Sequence, residues 1–128
     1  MPIERLQPAG MPESTLFSPV VRSGNTIYVA GQVSQDEHGE IVGLGDFRAQ
    51  AQRVMDNLKT ALAAAGAGLE HLVRITIYLT DARHRDEMRD VTRQYLGAAL
   101  PASTLLVVAA LARPEYLLEI DGVAVLDT

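Results

Sequence analysis

Between Phe47 and Thr80 the apolar residues change their period, and that change restricts the fold more than any other feature of the chain. Phe47, Ala51, Val54, Met55, Leu58, Ala61, Leu62 and Ala65 recur at three- and four-residue steps. This places them on one face of an amphipathic helix of about five turns. Asp46 is positioned to cap its N-terminus and Gly66 its C-terminus. The stretch "LVRITIYLT" then switches to strict alternation. Val73, Ile75, Ile77 and Leu79 share one face, and Arg74, Thr76, Tyr78 and Thr80 the other. That is the pattern of a β-branched strand with one core face. A helix stripe and a strand face must each bury against another element, so the chain is expected to form layers.

The flanking segments extend the pattern. Residues 1–19 are rich in Pro and Ser and read as an irregular arm with at most one short strand. "VVRSGNTIYVAGQV" reads as two strands joined at Ser23-Gly24-Asn25, and "SQDEHGEIVG" as a loop. Asp81 is placed to cap a second helix with Met88, Val91, Tyr95 and Leu96 as its stripe and Gly97 as its end. After Pro101, the run Thr104–Leu111 reads as a strand buried on both faces. "ARPE" marks a turn, and "YLLEIDGVAVL" a final strand. The order is β-β-α-β-α-β-β, with residues 1–128 forming a single domain. Tyr28, Leu106, Val108 and Leu118 give the sheet a second apolar face, which predicts self-association.

Composition narrows the partners. The chain has 128 residues and a net charge of −5, with Lys59 its only lysine. It therefore lacks the overall basic footprint of a nucleic-acid-binding domain. It has no cysteine, which removes disulfides, thiolate chemistry and Cys-based metal sites. The start "MPIERLQPAG" lacks the apolar core of a secretory signal, and no uncharged apolar run reaches the length of a membrane span. A cytoplasmic setting without membrane association is expected.

Few residues announce chemistry. His38, His71 and His84 are irregularly spaced and match no metal-ligand pattern, so they read as solvated surface side chains. "GLGDFRAQ" has glycines before a helix, but no strand leads into it, so it reads as a capping loop. Neither a metal nor a cofactor is expected. Glu119 stands out between Leu118 and Ile120 in the last strand. It either points to solvent from a half-exposed strand or is a buried carboxyl whose pKa is shifted for function. Ser103 and Thr104 can satisfy backbone groups after Pro101. Arg89 and Arg93 read most simply as surface charges.

The motifs "IYVAGQ", "LKTALAAAGAGLEHLVRITIYLTD" and "LPASTLLVVAALARPEYLLEID" together resemble the RidA/YjgF family, also described as reactive intermediate deaminases or L-PSP-type endoribonucleases. The likeness runs from about Phe17 to Val125, nearly the whole chain. It implies a chorismate-mutase-like α+β fold with a mixed sheet and two helices on one face. It also implies a homotrimer with a small-molecule cleft at each subunit interface. In deaminating members an arginine in a Pro-Ala-Arg signature grips the substrate carboxylate, and a glutamate helps hold the water that attacks an imine carbon. The resemblance makes Glu119 the catalytic residue. It makes Phe17, Ala30, Gly31, Gln32, Arg89, Ser103 and Thr104 the substrate-binding set.

The departures from the family pattern are concentrated in that set. Ser103 occupies the signature arginine position, which replaces a bidentate cation with a neutral hydroxyl. Phe17 stands at a family tyrosine, Ala30 at a serine and Arg89 at an asparagine. Only Gly31, Gln32 and Glu119 remain as matched. The leading expectation is an imine or enamine deaminase, or a related hydrolase, with altered substrate preference. The alternative is a non-catalytic trimer that binds a small metabolite. RNA cleavage ranks third, because the chain is acidic and lacks an aromatic platform with interleaved basic residues.

Overall fold

A computed structural model describes residues 2–127. Strands β1 (Ile3–Leu6), β2 (Val20–Ser23) and β3 (Thr26–Gln32) precede helix α1 (Phe47–Ala64). Strand β4 (Leu72–Leu79), helix α2 (Arg85–Leu96), β5 (Ala102–Val107) and β6 (Leu118–Val125) follow. The strands form one six-stranded sheet in the order β1-β2-β3-β6-β4-β5. Only β4 and β5 pair in parallel, and α2 provides the crossover that a parallel pair requires. The fold is α+β as expected, and the N-terminal arm supplies one edge strand.

The core lies between the sheet and the helices. Val54, Met55, Leu58 and Leu62 of α1 are fully buried against Ile27, Leu79, Leu118 and Ile120 of the sheet. The predicted caps hold. The Asp46 carboxylate accepts a hydrogen bond from the Ala49 N–H at 3.1 Å. Beyond the last turn, Gly66 takes φ +81°, and the Gly66 and Ala67 N–H groups donate back to Ala63 and Leu62. Arg22 donates through Nη1 to the Ala65 carbonyl at 2.9 Å, placing a cation at the negative end of the helix. Asp81 caps a short 3-10 turn, Ala82–His84, that leads into α2, rather than α2 itself.

Three expectations need correction. The β4–β6 register shifts between Leu72 and Arg74, so Leu72 takes the core position and Val73 is left exposed. A bulge inserts one residue and inverts the alternation on its N-terminal side. Leu118 is buried under the helices, so it contributes nothing to the open sheet face. The strand begun at Ala102 ends at Val107, and its residues are mostly exposed. It is an edge strand, and α2 leaves Val107, and the open face leaves Leu106, uncovered in the single chain.

Two polar side chains on α1 are buried where the apolar period put no residue. Gln50, fully buried, donates to the carbonyls of Gly43 at 3.2 Å and Glu115 at 3.0 Å, and accepts from the Leu117 N–H at 3.0 Å. Asn57 donates to the carbonyls of Val33 and Gln35 at 3.0 and 2.9 Å. These amides tie the helix to the loops after β3 and before β6. Among the described residues, no helix is long and apolar enough to cross a membrane. Replacing Gln50 with Leu keeps the volume and strands three backbone groups. The Gln50→Leu variant is expected to lose about 3 kcal/mol, measured by urea unfolding.

Candidate functional site

Glu119 sits on β6 opposite Tyr78 of β4, on the sheet face turned away from the helices. Burial raises its pKa, and the neighbouring Asp121 charge adds to the effect. Asp121 accepts the Tyr78 hydroxyl at 2.8 Å, a bond that also raises the Tyr78 pKa. The Glu119 side chain makes no hydrogen bond among the described residues, so its oxygens are available to a ligand or water.

Gly31 explains why the carboxyl can lie where it does. The β3–β6 register is irregular between Val29 and Gln32, and Gly31 falls within that irregularity. A Cβ at Gly31 would overlap Oε2 of Glu119 and lie 2.7 Å from its Cδ. The missing side chain is the space the carboxylate uses.

A cavity of about 440 Å³ opens beside this pair, lined by Phe17, Ala30, Gly31, Val33, Gln35, Ala112, Arg113, Tyr116 and Glu119. The backbone of its walls is held from behind by α1. Asn57 and Arg53 bind the Gln35 carbonyl, and Gln50 binds the segment Glu115–Leu117. The Arg113 guanidinium lies 5.8 Å from the centroid of the buried Tyr116 ring, within cation–π range. The cavity thus holds one carboxyl, one guanidinium and an apolar lining.

The other predicted site residues lie elsewhere. Arg89 and Ser103 line a groove of about 470 Å³ between α2 and β5, together with Ile77, Arg85, Met88, Thr92, Arg93 and Leu105. Gln32 turns inward, is buried, and donates to the Ala30 carbonyl at 2.9 Å. It lines a smaller hollow of about 230 Å³ that shares Phe17 and Gly31 with the main cavity. Thr104 alternates with Ser103 along β5, so it lies on the opposite sheet face, paired with Thr76. Within one chain, then, Arg89 and Ser103 line one hollow, Phe17, Ala30, Gly31 and Glu119 another, Gln32 a third, and Thr104 none of these.

The structure adds residues the motifs did not suggest. Arg113 comes from the "ARPE" turn, which read only as a connection, Tyr116 follows it, ahead of a final strand that begins at Leu118 rather than at Tyr116, and Arg85 completes a row with Arg89 and Arg93. Their four-residue spacing is the signal the sequence offered. Two histidines also have structural partners. Nδ1 of His71 accepts from the Gly68 N–H at 3.0 Å, and His84 stacks on Phe47 at 4.2 Å.

Comparison with known proteins locates this arrangement. Residues 9–126 match the family described as endoribonuclease L-PSP. A RutC family protein of Pyrococcus abyssi is 38% identical over 109 residues, 84% of each chain. The 3-aminoacrylate deaminase RutC of Acinetobacter baylyi is 31% identical over 125 residues, covering 97% of this chain and 98% of that one. The crystal structure of RidA from an Antarctic Psychrobacter superposes with a TM-score of 0.89 at 30% identity, over 96% of this chain and 99% of that one.

A raised carboxyl pKa has a consequence for stability. The folded state holds the Glu119 proton more tightly than the unfolded chain does. Its favourable contribution is therefore present at low pH and lost as pH rises through the folded pKa. Glutamine carries no charge at any pH. The Glu119→Gln variant should match the parent in Tm near pH 4 and exceed it near pH 8, as read by thermal melts across that range.

Proposed function

The chain belongs to the endoribonuclease L-PSP family, which also carries the RidA/YjgF and RutC names, and from that premise we propose that it hydrolyses a reactive imine or enamine beside Glu119. The observation that carries this reading is the state of that carboxyl. It is half-buried, has a raised pKa, forms no hydrogen bond among the described residues and lies open to a cavity. A carboxyl whose pKa is raised is a stronger base than an ordinary glutamate, and so is better suited to take a proton from water and return it.

The chemistry follows from that proton. An enamine first tautomerises to the imine, one proton moving from nitrogen to carbon. Glu119 takes a proton from water as the water oxygen adds to the imine carbon. The C=N electron pair moves to nitrogen, which receives that proton from Glu119, giving a carbinolamine. Glu119 then passes the carbinolamine hydroxyl proton to nitrogen as C=O re-forms and the C–N bond breaks, releasing ammonia. The product is a carbonyl compound. Ser103, in place of a carboxylate-gripping arginine, shifts preference away from the small imino acids 2-iminopropanoate and 2-iminobutanoate.

The reading includes assembly as a homotrimer. Tyr28 and Leu106 are 51% and 46% exposed on the open sheet face, and β5 is an uncovered edge. Joining copies through this face would cover them and bring the groove at Arg89 and Ser103 of one copy to the Glu119 cavity of the next. The apolar lining from Phe17, Ala30 and Ala112 also suits a second reading, in which the cleft retains a small metabolite without converting it.

Keto-acid and ammonia release from imines formed in situ by an amino-acid oxidase tests the reaction. Glu119→Gln should lower kcat/KM about 100-fold or more. Unchanged turnover would remove Glu119 from the mechanism, and turnover of 2-iminopropanoate equal to that of an arginine-bearing relative would refute the reading of Ser103. Sedimentation velocity should give a species of three chains, and Leu106→Asp should shift it toward one.

A further inference from the structure

The groove between α2 and β5 has a charge pattern that the fold does not need. Arg85, Arg89 and Arg93 recur every four residues along one helix face, spanning about 12 Å of axis. Among the described residues, no aspartate or glutamate lines the groove. Two acids of α2 are engaged by α1, since Glu87 and Asp90 reach Arg48 at 3.1 and 3.6 Å. Arg93 has only a 3.8 Å approach to Asp90. The side chains of Arg85 and Arg89 form no hydrogen bond or ion pair among the described residues.

Part of this row works against the helix. Like charges four residues apart repel, and Arg85 in the first turn opposes the helix dipole, whereas Arg93 in the last turn favours it. The chain as a whole carries a net charge of −5, so the row is not part of a general cationic surplus. A local rule broken with no gain in stability marks a site for something else. The floor of Ile77, Met88 and Leu105 can take a short carbon skeleton, and the Ser103 hydroxyl stands among the arginines without a side-chain partner among the described residues.

We infer that this groove binds a small ligand with two anionic groups, the second being a carboxylate or a phosphate. Guanidinium forks match either group, and a row of three can hold two of them at once. The inference rests on the deaminase reading for its chemistry and names the substrate class, an imino acid with a second acidic group. The binding itself needs no turnover, because the arginines and Ser103 line a groove separate from the Glu119 cavity.

Calorimetric titration of the purified protein with pyruvate, 2-oxoglutarate and phosphoenolpyruvate tests it. At least one of the two doubly acidic ligands should bind about tenfold or more tighter than pyruvate, with a preference that weakens as salt rises. The winner identifies the second group. Arg85→Ala/Arg89→Ala should abolish the preference, and Arg89→Lys should restore only part of it. Removing the repulsion should leave the Tm of the double variant at or above that of the parent. Equal binding of all three ligands, or a preference that survives the double variant, overturns the inference. So does single-stranded oligoribonucleotide binding that exceeds both and is lost in that variant. Tight binding of a doubly acidic ligand without any imine turnover would sustain this inference while refuting the deaminase reading.

Discussion

The buried amide of Gln50 is the interaction on which the site depends. One side chain on α1 holds Gly43 on one loop and both Glu115 and Leu117 on another. Asn57, two turns further along, does the same for Val33 and Gln35. A buried backbone group without a partner is costly, so these loops adopt conformations that the amides can satisfy. The loops are the walls of the Glu119 cavity. The helix that buries the core therefore also sets the shape of the site from behind, without placing any of its own atoms in the lining.

The sheet divides its work by face. The helix-covered face is almost wholly aliphatic, with Ile75, Ile77, Leu118 and Ile120 buried. The open face mixes Tyr28 and Leu106 with Glu119, Asp121 and Tyr78. The Tyr78–Asp121 hydrogen bond places a second carboxylate near Glu119 and so helps hold the Glu119 proton. The acid–base character of Glu119 is thus set first by burial and then by the Asp121 charge, at a position for which the missing Cβ of Gly31 leaves room.

Much of this was legible beforehand. The change of apolar period located α1 and β4, Asp46 and Gly66 bounded the helix, and the strand–turn–strand around Glu119 marked the family. What stayed hidden has physical reasons. The displacement of Val73 is a register event decided by pairing with β6, which no local pattern encodes. Gln50 and Asn57 lie outside the apolar stripe, and periodicity is silent about them because their value lies in distant backbone partners. Arg113 and Tyr116 lie in a turn, where periodicity is silent. Strand β5 looked doubly buried because its composition suits an interior that a single chain does not provide. Within one chain the expected site residues are spread over several hollows, because a motif along the chain carries no information about which hollow each side chain enters.

The uncovered edge of β5 also bears on the chain's fate during synthesis. Ala102–Val107 contains no charged residue, and only Pro101, just ahead of it, blunts the edge. A row of unpaired peptide groups flanked by Leu and Val is a template for any passing extended segment. For as long as that edge is uncovered, the protein is prone to coaggregate. Its yield in a cell should then be governed by local chain concentration and chaperone supply as much as by the intrinsic stability of the fold.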